Sequence, residues 1–176
     1  NRVSQSIDHD AHLLAKLLLR QTAWADLPPE TQRHLLSVSE YHQVFPTLYS
    51  IAGAPAAFQP LAVHLKTRFA ALTLHAVNVT KILAQHNIPV LWMKGLALAF
   101  SVYDDPWMRT MRDVDFIVPM DQRLQARTIM MEHGYTDEDY FLADHSVPPE
   151  YNHLVTHHFN MYYKDISLEL HYDLGA

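Results

Sequence analysis

Two aspartates, Asp113 and Asp115, lie in a run of residues that otherwise predicts a buried strand. The neighbouring residues, such as Val114 and Phe116, are β-branched or aromatic, which favours a strand. Side chains two apart on a strand project to the same side, so both carboxylates should point together. Two close carboxylates repel each other unless a cation lies between them, and Mg²⁺ prefers oxygen ligands. The pair predicts a metal site; the alternative is a solvated strand end or a helix cap.

The Lys94-Gly95 turn lies upstream and has groups that favour an anion. Residues 88–93 form an apolar run of strand length, and residues 96–102 favour a helix. The start of a helix offers free N–H groups and the positive end of its dipole, and Lys94 adds a charge suited to phosphate. The turn therefore predicts a phosphate site, the alternative being a plain β-to-α turn with a solvated lysine. It is not a P-loop, because the Gly-x-x-x-x-Gly-Lys-Ser/Thr pattern is absent.

A third acid, Glu169, lies in a downstream segment, residues 166–172, whose apolar and polar residues alternate as in a strand. Glu169 and His171 share one face of this strand. If it pairs beside the strand of residues 113–118, Glu169 can join the two aspartates in a two-metal site for displacement at phosphorus. The alternative is an exposed glutamate on the wet face of the sheet. Residues 157–163 and 166–172 should form an antiparallel hairpin that turns at Lys164-Asp165.

The second half of the chain carries these motifs in a specific order. In that order they are Lys94-Gly95-Leu96, Arg109, residues 112–118, Gly134-Tyr135, His157-His158 and residues 168–171. Their order and spacing, from about residue 90 to residue 172, resemble the uncharacterised nucleotidyltransferase family of the polymerase-β-like superfamily. The resemblance implies a minimal nucleotidyltransferase fold, a mixed sheet with flanking helices. It also implies a glycine turn for the triphosphate, an Asp-x-Asp pair for metals and a third acid on a later strand.

The implied function is transfer of a nucleoside monophosphate from an NTP, such as ATP, to an unknown acceptor hydroxyl with Mg²⁺ or Mn²⁺. The residues expected to bind the metals and to be catalytic are Asp113, Asp115 and Glu169. The residues expected to contact the nucleotide are Lys94, Gly95, Arg109, Arg112 and His171.

Two departures from the superfamily pattern keep other functions open. Many members have Gly-Ser or Gly-Gly where this chain has Gly95-Leu96, and members continue beyond the third acid, so the sequence is expected to be a fragment truncated at its carboxyl end. One alternative is an inactive nucleotide- or partner-binding module. Another is a toxin-type nucleotidyltransferase that modifies tRNA or protein.

The amino-acid composition limits which partners the protein is expected to bind. With 13 basic and 19 acidic residues the net charge is −6, whereas nucleic-acid binders are usually basic, so a small molecule or a protein is favoured as the acceptor. The chain has no cysteine, which excludes disulfides, a thiol nucleophile and a cysteine zinc site. It shows no signal peptide and no apolar run of membrane-spanning length, so a cytoplasmic protein without a membrane partner is expected.

The predicted fold class is α+β. Residues 1–87 should form a helical N-terminal region and residues 88–176 a nucleotidyltransferase-like core. Helices are expected over residues 9–20, from 29, over 41–51 with an interruption near Pro46, from about 60 to 87, and over 121–133 with a stop at Gly134. The long fourth helix has a stripe predicted to be core: Leu61, Leu65, Phe69, Leu72, Ala76, Val79 and Leu83. Residues 137–150 should form an acidic surface loop near the mouth of the site.

Histidines suggest a second kind of metal site, which the spacing disfavours. His153 and His157 are four apart, as in helical zinc sites, but no glutamate follows His153 and His157 falls in a predicted strand. His157, His158 and His171 are instead expected to line the sheet beside the acids. Of two tryptophans that are otherwise expected in the core, Trp107 should be more exposed than Trp92.

Overall fold

The structure is a computed structural model that describes residues 2–137 and 157–173. The described residues form a helical N-terminal region followed by a mixed sheet with flanking helices, which confirms the predicted α+β class. The helices are α1 (Arg2–Leu18), α2 (Pro29–Tyr41), α3 (Phe45–Ile51), α4 (Gln59–Gln85), α5 (Lys94–Val102) and α6 (Arg123–Glu132). The strands are β1 (Leu91–Trp92), β2 (Asp113–Ile117), β3 (Thr136–Asp137), β4 (His158–Tyr163) and β5 (Ile166–His171). No described helix has both the length and the apolar character needed to cross a membrane.

The chain divides into two compact units, Asn1–Thr67 and Arg68–Ala176. The first unit contains α1, α2, α3 and the beginning of α4. The second contains the rest of α4, the sheet, α5 and α6, and therefore all the residues predicted to do chemistry. The division into regions 1–87 and 88–176, drawn from the sequence, remains a prediction.

The first unit has a small apolar core of its own. Its buried side chains include Leu17, Leu35, Phe45 and Leu48. The helix expected over residues 41–51 is instead two elements, because α2 ends at Tyr41 and α3 begins only at Phe45. Pro46 lies in the first turn of α3, where its missing N–H leaves no intrahelical hydrogen bond unmade.

The sheet has the strand order β1-β2-β5-β4-β3. Strands β2 and β5 run parallel, and the register aligns Asp115 with Glu169. The hairpin of β4 and β5 turns at Lys164-Asp165, with Tyr163 opposite Ile166. Both the predicted hairpin and the predicted pairing of the Glu169 strand with the aspartate strand are confirmed. The three candidate acids therefore belong to two neighbouring central strands.

The opposite face of the two central strands forms the core of the second unit. Val114, Phe116, Leu168 and Leu170 are fully buried. They belong to one cluster with four residues of the α4 stripe: Leu72, Ala76, Val79 and Leu83. That part of the predicted stripe is confirmed as core, whereas Leu61, Leu65 and Phe69 are only half-buried. Apolar packing on one face thus leaves the other face of β2 and β5 to the polar side chains.

Some local boundaries differ from the predictions. The strand expected over residues 88–93 is only Leu91–Trp92, because Asn87 has φ 58° and Pro89 cannot donate a ladder hydrogen bond. The helix expected from residue 121 begins as a 3₁₀ turn, Met120–Gln122, before α6. Gly134, with φ 88°, follows α6 as the expected stop.

The exposure predicted for Trp107 is wrong. Trp107 is only 7% exposed, whereas Trp92 is half-buried. Residues Pro106–Met108 form a short 3₁₀ turn, and the Trp107 indole N–H donates to the Asp105 carboxylate. This local hydrogen bond satisfies the polar end of the ring while the rest of it is buried. The acidic loop predicted for residues 137–150 lies, after residue 137, outside the described residues.

Candidate active site

A charged cluster lies on the polar face of the two central strands. It contains Asp115 from β2, Glu169 and His171 from β5, and Lys94 from the start of α5. Asp115 and Glu169 come together because they are register partners on adjacent parallel strands. Asp115 and His171 are only 4% and 3% exposed, so two polar residues of this cluster are withdrawn from water. Buried groups of this kind need partners, and each has them within the cluster.

Lys94 brings the positive charge to these acids. Its ammonium donates a hydrogen bond to Oδ1 of Asp115 and lies 3.5 Å from Oε2 of Glu169. The hydrogen bond to Asp115 is the main cause that raises the pKa of Lys94 above its ordinary value. The lysine predicted to hold phosphate therefore neutralises the two carboxylates in this structure.

The backbone at Lys94 has a rare conformation that aims the side chain. Lys94 has φ 45°, in the left-handed region that non-glycine residues seldom adopt. The preceding N–H, that of Met93, donates to the carbonyl of Asp115 at 3.0 Å. The turn between β1 and α5 is thus tied directly to the strand that carries the acids. Strain of this kind tends to persist at functional sites.

His171 holds the two carboxylates from the other side. Its Nε2 lies 3.1 Å from Oδ1 of Asp115 and 3.2 Å from Oε2 of Glu169. An ionised carboxylate only accepts hydrogen bonds, so Nε2 carries the proton. The hydrogen bond from His171 is the main cause that lowers the pKa of Glu169 to about 2, against the opposing effect of burial. Glu169 is therefore anionic over the whole physiological range.

Asp113 lies at the edge of the cluster rather than inside it. The ligand atoms of Asp115, Glu169 and His171 lie within 4.8 Å of one another, and Asp113 is not part of this group. Burial is the main cause that raises the pKa of Asp113, followed by repulsion from Asp115 and Glu169. Asp113 therefore feels the charge of both acids. Its predicted role as a third metal ligand remains a prediction.

The remaining predicted nucleotide residues do not join the cluster. Gly95 is buried, and a Cβ added there would lie 2.8 Å from Sδ of Met111, so this glycine makes room for a methionine side chain. Arg109 donates to the carbonyl of Thr110, and Arg112 is exposed, with its carbonyl bonded to Arg68. Within the described residues, neither arginine forms an ion pair with the acids. Their contacts with nucleotide remain a prediction.

Two further histidines extend the site along the sheet. His158 is the register partner of His171 on β4, and His157 directly precedes that strand. Burial lowers the pKa of His158. The predicted hairpin already implied that His158 lies opposite His171. The rule that finds zinc ligands four residues apart on one helix could not show that three histidines from two segments meet.

The donor set suits a divalent cation. Two carboxylates offer the hard oxygens that Mg²⁺ and Mn²⁺ prefer, and His171 orients both of them through its Nε2–H. The ligand atoms are already gathered within 4.8 Å. The positive charge of Lys94 at the same carboxylates shows that a cation is electrostatically favoured there.

Substitution can separate two roles of Gly95: making room for the Met111 side chain, and letting the backbone approach the phosphates closely. We expect Gly95→Ala to weaken NTP binding only slightly, by about 1 kcal/mol or less, because the atoms it meets belong to a flexible side chain that can shift. In a Met111→Ala background the effect should vanish. Calorimetry on the two single variants and the double variant measures this. Equal loss of NTP affinity with and without the methionine would show instead that the glycine backbone approaches the phosphates closely.

Comparison with known proteins gives the chain a family. The family model described as "Uncharacterised nucleotidyltransferase" matches residues 28–176, which is most of the chain and includes the whole charged cluster. No curated protein and no solved structure shows a significant match. The match confirms the resemblance carried by the Lys94-Gly95 turn, the Asp113 and Asp115 pair and the Glu169 strand. The chain therefore belongs to the uncharacterised nucleotidyltransferase family.

Proposed function

We propose that this protein is a metal-dependent enzyme that transfers a nucleoside monophosphate from an NTP to an acceptor hydroxyl and releases pyrophosphate. The observation that carries the proposal is the alignment of Asp115 with Glu169 on adjacent parallel strands, in a member of a nucleotidyltransferase family. Two carboxylates in this register, closed by His171 and Lys94, form a compact anionic site. Such a site is suited to cations that accompany a triphosphate.

The metal ligands in this proposal are Asp113, Asp115 and Glu169. Two Mg²⁺ or Mn²⁺ ions, when bound, would lower the pKa of the acceptor hydroxyl and stabilise the charge of the triphosphate and the leaving pyrophosphate. His171 orients the carboxylates, because its Nε2 contacts one oxygen of Asp115 and one of Glu169. The repulsion that Asp113 feels from both acids is relieved when positive charge is added between them.

Lys94 has two successive partners in this proposal. Without nucleotide its ammonium neutralises Asp115 and Glu169. The side chain is 57% exposed, so it has room to move toward solvent. Once bound cations neutralise the carboxylates, the ammonium can bind phosphate instead. The N–H groups at the start of α5 would help to bind the same phosphate. The lysine would thus couple the binding of nucleotide to the binding of its cations.

The acceptor is proposed to be a small molecule or a protein hydroxyl. The net charge of −6 gives no general attraction for a polyanion such as tRNA. Nothing in the described site selects a base, so each NTP should be tested, beginning with ATP.

One observation favours a second candidate, a nucleotide- or partner-binding module without turnover. Lys94 already supplies the positive charge that the acids require, and Gly95 is packed against Met111. A site of this kind could remain stable with no metal bound. The two candidates differ in metal dependence and in the release of pyrophosphate.

Calorimetry with each NTP tests the proposal directly. Binding should require Mg²⁺ and should weaken at least about 10-fold with EDTA, because the triphosphate and the acids repel each other without cations. Glu169→Gln should reduce the gain in NTP affinity that Mg²⁺ gives over EDTA. Glu132→Gln, at the exposed end of α6, should leave this gain unchanged. Equal affinity with EDTA and with Mg²⁺ would favour the module without turnover.

A further inference from the structure

Three histidines form a cluster that nucleotidyl transfer does not require. His158 on β4 and His171 on β5 are register partners, and His157 is the residue before β4. The centroid of the His157 ring lies 4.9 Å from that of His158 and 5.8 Å from that of His171, and the centroids of His158 and His171 are 5.1 Å apart. One nitrogen from each ring lies within 4.8 Å of the other two. Antiparallel pairing thus brings together three imidazoles from two segments of the chain.

We propose that His157, His158 and His171 bind a borderline divalent cation of the Zn²⁺ class, at a site distinct from the carboxylates. Imidazole nitrogen is a preferred ligand of Zn²⁺ and its neighbours in the transition series, whereas Mg²⁺ prefers oxygen. Three histidines are a sufficient protein ligand set for zinc and leave a fourth position open for water or a substrate atom. Nothing in this inference depends on nucleotidyl transfer.

The distances are compatible with a shared metal. Zinc binds imidazole nitrogen at about 2.0–2.1 Å, which places two nitrogens of one tetrahedral site about 3.4 Å apart. One nitrogen of each ring already lies within 4.8 Å of a nitrogen of each of the other two. His157 is exposed and His158 half-buried, so the side chains at the outer end of the cluster have room for the remaining adjustment.

His171 links this cluster to the acids in the manner of a metal-bound histidine. Ligating histidines usually donate their other ring N–H to a carboxylate, which fixes the tautomer and the orientation of the ring. In His171 the Nε2 contacts the carboxylates of both Asp115 and Glu169. Binding of the cation through Nδ1 would leave both of these contacts intact. The position open on the metal would lie close to the proposed site of nucleotide chemistry.

Cobalt spectroscopy on the whole chain tests the site without any activity measurement. Co²⁺ would be added in the presence of excess Mg²⁺, which competes for oxygen ligands such as the carboxylates. The visible absorption of a nitrogen-bound, four-coordinate Co²⁺ would be followed. We expect one equivalent to bind and one equivalent of Zn²⁺ to displace it. His157→Ala should weaken Zn²⁺ binding by about 100-fold or more, since even partners in the outer shell of a metal site contribute about 10- to 100-fold.

The controls separate this site from the other histidines and from the acids. His86→Ala removes an exposed histidine outside the cluster and should leave the Co²⁺ spectrum unchanged. His157 is exposed, so its replacement tests the site even if His158→Ala fails to fold. Unchanged Zn²⁺ affinity in His157→Ala, an equal loss in His86→Ala, or no one-to-one binding by the wild type would each overturn the proposal. A wild-type protein that gives the Co²⁺ spectrum but binds no NTP would count against the proposed function alone.

Discussion

Replacing Asp115 with asparagine is expected to lower nucleotidyl transfer by about 100- to 1,000-fold or more, the effect usual for loss of one strong electrostatic group in an active site. Asp115 is more deeply buried than Glu169, and its Oδ1 contacts both Lys94 and Nε2 of His171. Asparagine keeps the shape of the side chain and removes its charge. Metal-dependent NTP binding should fall together with the rate.

The measurement is the rate of pyrophosphate release, compared with NTP affinity in Mg²⁺ and in EDTA. Asp121→Asn is the matched control, because Asp121 is exposed and lies in a 3₁₀ turn outside the cluster. Circular dichroism should show that both variants keep the fold. An Asp115→Asn protein with the rate and metal dependence of the wild type would exclude this aspartate from the chemistry.

Lys94→Ala is expected to act in two opposite directions. Triphosphate binding should weaken by about 1–3 kcal/mol, the usual contribution of a hydrogen bond to a charged group, while nucleoside binding changes little. Binding of Mg²⁺ alone should become tighter, because the ammonium no longer competes for Asp115 and Glu169. The fold should be retained, since the side chain is 57% exposed.

Calorimetry with Mg²⁺ alone, with a nucleoside and with its triphosphate resolves these effects. Lys81→Ala, which removes an exposed lysine of α4, serves as the control. A Lys94→Ala variant that binds triphosphate normally would show that this lysine is not a phosphate ligand. Weaker Mg²⁺ binding in the variant would contradict the competition between the ammonium and the cation.

The alignment of the acids could be predicted because it depends on strand geometry. Alternation along residues 113–118 and 166–172 set which side chains share a face, and a parallel pairing then put Glu169 beside Asp115. The α+β class followed from helical periodicity in the first half and from short apolar and alternating runs in the second. The helix stop at Gly134 and the turn at Lys164-Asp165 followed from local turn chemistry.

Contacts that depend on packing could not be predicted. Neither the ion pair of Lys94 with Asp115 nor the contact of Gly95 with Met111 has a signal in the sequence, because both join residues from separate elements. Trp107 is buried although acidic residues and a proline precede it, since a local hydrogen bond to Asp105 satisfies its ring. The histidine cluster could not be predicted for the same reason. Spacing rules find ligands on one helix, whereas His158 and His171 meet across two strands.

The most direct test of the central claim is turnover. The whole chain would be incubated with each α-labelled NTP and Mg²⁺ or Mn²⁺, with water and the protein's own hydroxyl groups as acceptors, and both pyrophosphate and self-labelling would be measured. A nucleotidyltransferase should release pyrophosphate from at least one NTP in a metal-dependent reaction that Asp115→Asn abolishes. Tight, metal-dependent binding of an NTP with no pyrophosphate from any NTP and either metal would contradict the claim.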